Sequence, residues 1–311
     1  MKKTAKCSAE VVLISVCVCT YKRPQLKVCL DSIAQQNLPD NVIIRVVVVD
    51  NCPELSAKKI VETFTQSYSL DVVYLPLPAK NLSRIRNRCV SAATGEFIAL
   101  IDDDEIASKN WIKHLVECAN NCKADVVIGP VLNQYSETCP AWLAEADLMA
   151  RLSPSTGKVI KTGHAGNALI RRSMLEKSAV IFDERLGISG GEDTDFFYRL
   201  YKSGAKIIGC FEAVAFEIID PARENWDYLL MENKRIGQVF CRVIWPLLSL
   251  YERAVALFFI LAKIAYFGAG FLGTWLFGKR FFAYWQLRCM CNIEKIRYLL
   301  RKNKTVAPYC A

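Results

Sequence analysis

An apolar run of strand length, Phe97-Ile98-Ala99-Leu100-Ile101, ends abruptly in four acids, Asp102-Asp103-Asp104-Glu105. Such a run reads as a strand buried on both faces, and in open α/β sheets buried strands bring their C-terminal ends to a shared ligand crevice. The carboxylates therefore stand where a ligand is expected. Adjacent carboxylates repel one another, so four together are tolerated in water or beside a cation, and hard oxygen ligands suit Mg²⁺ or Mn²⁺. A solvated acidic turn is the alternative reading.

The chain around this run alternates. Residues 11–19 read as a buried strand, and Pro24 then opens a helix whose stripe is Leu26, Leu30, Ile33 and Ala34. Strands are predicted over 42–49, 72–75, 126–132 and 167–170, and helices over 55–64, 82–93 and 106–122, with Ser173 capping a short helix after the last strand. The irregular stretch 135–164 reads as a loop or lid. Strands alternating with helices imply an α/β fold on a mostly parallel central sheet, in which Thr20, Asp50 and Asp102 meet at one edge.

A second focus is Gly190-Gly191-Glu192-Asp193-Thr194-Asp195. The glycines let backbone approach a ligand closely, and the acids open a helix whose positive N-terminal end favours their charge. After Pro221 the character changes. Residues 226–242 read as a partly charged helix, and 254–277 is apolar and long enough to cross a bilayer, although Lys263 argues against a simple lipid-facing span. An in-plane hairpin, allowed to bend or pack closely by Gly268, Gly270 and Gly273, competes with a span. Trp285, Arg288 and a basic helix over 293–304 flank it, as at an interfacial anchor. A buried helical subdomain is the rival. The division is thus an α/β domain at 1–240 and a helical membrane-anchoring segment at 241–311.

The net charge of +9 gathers in the tail. With no zinc-finger spacing, helix-turn-helix signal or aromatic-basic RNA motif, the basic tail suits an anionic membrane surface and not nucleic acid. Cysteines such as Cys17, Cys19, Cys118 and Cys122 fall inside predicted elements, and the 14 show no metal-ligand spacing and read as reduced, buried side chains. Lys2, Lys3 and Lys6 imitate a signal peptide, but the apolar run behind them is short and β-branched, and reads as the first strand.

Five segments, in order, resemble the motifs of glycosyltransferase family 2, in the branch of bacterial exopolysaccharide and lipopolysaccharide enzymes. They are Val16-Cys17-Val18-Cys19-Thr20-Tyr21-Lys22-Arg23-Pro24, Val47 to Asn51, Ile85-Arg86-Asn87-Arg88, Ile101 to Glu105 as the D-x-D region, and Gly190 to Asp195. The resemblance covers roughly residues 11–240. It implies the GT-A fold, an α/β nucleotide-diphospho-sugar transferase, with a nucleoside diphosphate sugar as donor. By resemblance, Asp50 with the turn at Thr20 and Tyr21 would hold the nucleobase, most often uracil, with Arg23 also on the donor side. Asp102 would sit near the ribose, and Asp104, alone or with Asp102, would coordinate the metal. Asp103 would be structural or an assistant. Arg86 would face the donor, and Asn167 would touch the transferred sugar. Asp193 would be the catalytic base of an inverting transfer, with Glu192 as its rival or as the group that orients the acceptor.

Two departures matter. No Q-x-x-R-W motif lies between Pro221 and Gly237, which argues for one sugar per event, and no histidine stands near Glu217. The acceptor expected from the apolar tail is a lipid-linked or polysaccharide saccharide at the cytoplasmic face of a bacterial inner membrane. The alternatives are a sugar nucleotidyltransferase, which would need a glycine-rich phosphate loop after Cys19, a phosphoryl-transfer protein, and a catalytically inactive membrane-tethered sugar-nucleotide-binding protein.

Overall fold

The computed structural model describes residues 11–274 and 278–301. Lys2, Lys3 and Lys6, residues 275–277 of the apolar run, and the basic residues Lys302 and Lys304 lie outside the described residues. The first third alternates as the sequence implies: β1 (Val12–Thr20), α1 (Leu26–Ala34), β2 (Val42–Asp50), α2 (Lys58–Ser67), β3 (Asp71–Pro76), α3 (Leu82–Ala92) and β4 (Phe97–Asp102). Along β1 the side chains obey the two-residue period of a strand: Ile14, Val16 and Val18 enter one core layer, and Cys17 the other. The first layer is completed by α1, α2 and the helix that begins at Trp111, the second by α3 and the helix that begins at Glu192. The predicted start of the second helix at residue 55 moves to Lys58, because Asp50 accepts the N–H groups of Cys52 and Ala57 and holds the preceding turn open.

Beyond β4 the predicted helix over 106–122 is replaced in part. Glu105–Ala107 is a strand, β5, and the helix α4 (Trp111–Asn121) starts later. The predicted strand over 126–132 is two strands, β6 (Val126–Ile128) and β7 (Val131–Gln134), in different sheets. Gly129 and Pro130 break it. Pro130 has no ladder N–H to give, and a Cβ on Gly129 would meet the Ala213 carbonyl at 2.3 Å. The stretch 135–164 contains a short helix, α5 (Ala141–Ala146), and is pinned to the sheets by bridges from Arg151 to Val131 and from Val159 to Ile208.

The next strand, β8 (Asn167–Arg171), runs antiparallel to both β4 and β6. Ser173 does not cap α6 (Arg172–Ser178); Arg171 occupies that position and Ser173 lies inside the first turn. The chain continues through α7 (Glu192–Lys202), β9 (Ile207–Gly209) and β10 (Ala215–Ile218). The large sheet is ordered β3-β2-β1-β4-β8-β6-β9, parallel except at β8, and a small sheet β5-β10-β7 lies beyond the acidic end of β4.

The C-terminal part is three helices. The first, α8 (Trp226–Val239), continues through a π-helical turn, Phe240–Ile244, into a 3₁₀ turn, Trp245–Leu247. Then come α9 (Leu250–Thr274) and α10 (Lys279–Leu300). The division at residue 240 falls inside a continuous helical path, and α10 returns to pack on α8, where a Cβ on Gly237 would meet the Cys291 carbonyl at 2.5 Å. Leu287 joins Leu143 and Leu229 in a small core, and Gln238 donates to Glu294 at 2.9 Å. The chain beyond 240 is therefore not a separately packed unit. Along α9 the residues Leu250, Tyr251, Phe258 and Tyr266 are each more than 60% exposed, so one side of the helix finds no cover among the described residues, while Ile260 is buried. Gly270 lets α9 lie close against α10, since a Cβ there would collide with the Trp285 ring.

Candidate active site

The parallel register brings the strand ends together: Thr20 lies opposite Asp50, and Cys19 opposite Asp102. They open on a cleft of about 940 Å³ that runs from these ends past the Gly190 loop to α8 and α10. Thr20, Tyr21 and Arg23 line it. Asp50 does not. Its carboxylate is fully buried and accepts from the Cys52 and Ala57 N–H groups and the Tyr74 hydroxyl at 2.8 to 2.9 Å, so it shapes the turn and leaves the cleft wall to Asn51. Asn51 in turn accepts from the Ala79 and Lys80 N–H groups.

The four acids after Ile101 take separate partners. Asp102 meets the Arg86 guanidinium at 3.4 Å. Asp103 and Asp104 flank Arg23, at 3.5 and 2.7 Å. Glu105 turns inward, accepts the Asp102 N–H, and pairs with Arg151 at 2.5 Å. Burial, then the neighbouring Asp104 charge, pushes the Asp103 carboxyl up to about 7, and burial with the Asp102 charge raises Asp104. One oxygen of Asp103 is buried without a hydrogen-bond partner. Among the described residues no three carboxylate, thiol or imidazole groups converge as a complete metal cage.

Across the cleft Gly190 and Gly191 adopt φ of 75° and 87°, a left-handed backbone that other residues rarely accept. A Cβ on Gly191 would meet Val239 of α8 at 2.8 Å. Arg242, from the π-helical turn, donates to the carbonyls of Ser189 and Gly190. The loop thus presents the first turn of α7 to the cleft. Glu192 is committed elsewhere, buried in an ion pair with Arg86; burial raises its carboxyl while the Arg86 charge holds it down in part. Asp193 stands half-buried on the cleft wall and accepts the Thr194 N–H at 2.7 Å. Arg86 is consequently the tie between the acidic strand end and the Gly190 loop. Its helix is fixed by Asn87, which exchanges two 2.9 Å hydrogen bonds with the Phe182 backbone.

Asn167 is brought to the sheet centre, not to the cleft. Its Oδ1 accepts from Trp111 Nε1 at 2.7 Å, and its Nδ2 donates to the carbonyls of Pro130 and Ala213, leaving no donor for a sugar. The structure adds residues that the sequence reading left out. Arg151 joins Glu105 to Glu217 at 2.5 and 3.0 Å, and Arg223 meets Glu217 at 3.2 Å. Arg151 comes from the irregular stretch, Glu217 from β10 and Arg223 from the 3₁₀ turn Pro221–Arg223 behind it, and no local pattern marks their pairing.

The model of the family described as Glycosyl transferase family 2 matches residues 15–178, more than half of the chain. The chain belongs to glycosyltransferase family 2. It is 37% identical over 235 residues to the succinoglycan biosynthesis protein ExoM of Rhizobium meliloti, covering 76% of each chain. It is 26% identical over 204 residues to the poly(ribitol-phosphate) beta-N-acetylglucosaminyltransferase TarS of Staphylococcus aureus, spanning 62% of this chain and 33% of TarS. Among solved structures, the Pyrobaculum calidifontis mannosyltransferase PcManGT in complex with GDP-Man and Mn²⁺ aligns over 95% of this chain and 89% of its own, with a TM-score of 0.60 and 18% identity. TarS 1-349 in complex with UDP-GlcNAc aligns over 96% of this chain and 99% of its own, with a TM-score of 0.51 and 16% identity. The fold of this glycosyltransferase is accordingly GT-A. The family match ends at residue 178, before the Gly190 loop.

His164 also borders the glycosyltransferase cleft, with its Nδ1 buried and unpartnered. Burial, aided by the nearby Arg151 charge, pushes it down to about 3. The folded chain therefore keeps His164 neutral where the unfolded chain, at about 6.5, binds a proton. Its stabilising contribution is complete above pH 6.5 and is lost as pH falls from 6.5 towards 3. Allowing for the ring edge that faces cleft water, denaturant unfolding at pH 5 should show about 1 kcal/mol of stability loss that His164→Gln does not show. Parallel stability curves for the two proteins would remove this assignment.

Proposed function

We propose that this glycosyltransferase moves one sugar per event, with inversion, from a nucleoside diphosphate sugar, a uridine one by preference, to a lipid-linked or cell-surface saccharide. The observation that carries the reading is the cleft itself, with Asp193 on one wall, Asp102 and Asp104 on the other, and Arg86 tying the walls together. Asp193 takes the proton of the acceptor hydroxyl as its oxygen attacks the anomeric carbon, and the bond to the diphosphate breaks on the opposite side with its electron pair. Thr20, Tyr21 and Asn51 border the nucleoside end, and Arg23 and Arg86 bring positive charge towards the departing diphosphate. The crowding of these acids, which raises Asp103 and Asp104, and the unpartnered oxygen of Asp103 fit a hard divalent cation. Asp102 and Asp104 would hold Mg²⁺ or Mn²⁺, which supplies charge neutralisation to the leaving group. Support also comes from the ligands in the names of the similar structures, UDP-GlcNAc and GDP-Man with Mn²⁺, and from the ExoM relative, which suggests exopolysaccharide assembly, with lipopolysaccharide assembly the related alternative.

The same reading puts the protein at the cytoplasmic face of a bacterial inner membrane. The stretch Leu250–Gly270 has a mean hydropathy of 1.5 and is about 31 Å long at 1.5 Å per residue, with 6% of it buried. Because α10 packs along α9 and on α8, α9 is tied to the catalytic body and suits an in-plane hairpin better than a free span. Calorimetry with UDP tests the donor and metal parts together. We expect UDP to bind at least about tenfold more tightly with Mn²⁺ than with chelator, and Asp104→Ala to erase the difference. Equal affinity in both conditions for the unaltered protein would sink the metal assignment, while transfer from radiolabelled nucleotide sugars into membrane lipids tests the acceptor.

A further inference from the structure

The part of the cleft that the C-terminal helices line has a character of its own. Its lining there includes Arg288 and Lys295 of α10, together with Phe240 and Ile244 from the π-helical turn. The Lys295 ammonium lies 4.8 Å from the Phe240 ring centre and donates to Asn292 Oδ1 at 3.2 Å, and the Arg288 guanidinium lies over the Tyr284 ring. Lys263 of α9 adjoins this end of the cleft, one residue before Ile264, whose carbonyl meets Cys289 of α10. The contact between Cys289 Sγ and the Ile264 carbonyl brings the two helices together at this level.

The acids nearby are already taken. Glu232 is held in a two-bond pair by Arg235, and Glu294 by Gln238 and Arg301. Among the described residues, no carboxylate forms an ion pair with Lys263, Arg288 or Lys295. Two cations of the cleft lining, with Lys263 on the adjoining turn of α9, therefore stand where a polar cleft meets an exposed apolar helix. Burial, and the other two cations, make it harder for Lys295 to stay charged, a cost that an anion would offset.

Resting on the transfer reading above, we infer that Arg288, Lys295 and Lys263 hold the phosphate or diphosphate of an amphiphilic acceptor. Its apolar chain lies along α9, and its sugar reaches up the cleft to Asp193. A phosphate carries the charge that this cluster lacks, and both guanidinium and ammonium groups bind it well. The apolar chain finds its surface in the uncovered side of α9. One continuous cleft joins the two ends, as an acceptor with a headgroup at the membrane and a reacting hydroxyl at the base requires.

The test uses the full chain in neutral detergent, saturated with UDP and Mn²⁺ so that the donor site is filled. The probes are farnesyl diphosphate, inorganic diphosphate and farnesol. Farnesyl diphosphate should bind, and the other two should bind roughly tenfold or more weakly. Arg288→Gln with Lys295→Gln should weaken farnesyl diphosphate by roughly tenfold or more with UDP affinity unchanged, and the charge-keeping pair Arg288→Lys with Lys295→Arg should restore most of it. Equal affinity in the unaltered and glutamine-substituted proteins overturns the site. Inorganic diphosphate binding as tightly as farnesyl diphosphate overturns the amphiphile, and phosphatidylglycerol displacing the probe mole for mole assigns the cluster to the bilayer surface instead. A chain that binds no UDP strikes the transfer reading itself, whereas UDP binding without farnesyl diphosphate binding strikes only the acceptor.

Discussion

Asp193→Asn is expected to lower turnover by roughly 10² to 10⁴ while leaving UDP affinity nearly unchanged. The side chain keeps its shape and can still accept the Thr194 N–H through its remaining oxygen, so the Gly190 loop has no reason to move. What it loses is the ability to take the acceptor proton, and that loss appears only in the transition state. Initial rates of transfer, paired with UDP calorimetry on the same preparation, separate the two effects. Near-normal turnover would remove Asp193 from the role and leave the cleft without a base, because Glu192 is buried against Arg86.

The second large effect concerns that pair. Arg86 and Glu192 have side chains only 8% and 7% exposed, and Arg86 also reaches Asp102. Arg86→Met leaves the Glu192 carboxylate buried without its counter-charge, and such removals cost about 3 to 5 kcal/mol. Denaturant unfolding should show a loss of that size. Donor affinity should fall with it, since Asp102 loses the contact that orients it. Adding Glu192→Gln removes the stranded charge and should recover part of the stability but none of the donor affinity. A loss below about 1 kcal/mol in the single variant would show that the pair is not the tie between the walls.

The sequence makes the first half of the fold legible because its strands are continuous apolar runs bounded by turn residues, and a run buried on both faces can hardly be anything else. The ends of β1, β2 and β4 fall within a residue of their predicted places, and they stand side by side as topology demands. Strand direction is another matter. Nothing local in residues 167–170 says that β8 must run against β4 and β6, because direction is set by where the intervening chain returns. The break at Gly129 and Pro130 was open to a stricter reading, since proline cannot serve a central ladder.

The site divides in the same way. Asp102, Asp104, Arg86 and Asp193 stand in the cleft walls. Asp50 and Asn167 occupy the expected strand positions, yet their side chains are consumed by backbone and Trp111 contacts, which position along the chain does not reveal. Arg151 could not be found at all from sequence. Its partners Glu105 and Glu217 lie 46 or more residues away, and it arrives through a stretch with no periodicity.

The grip of Arg242 on the carbonyls of Ser189 and Gly190, with Val239 filling the space a side chain on Gly191 would need, couples the loop that bears Asp193 to the C-terminal helices. These two residues belong to one helical rod whose far end leads into α9. Under the proposed reading, the rod would carry the seating of the hairpin to the loop that bears Asp193. A protein lifted from the bilayer would then keep its strand ends, which belong to the sheet, but lose the fixed bearing of Asp193, so that a sugar nucleotide held anywhere in the cell would be spent only where the lipid is.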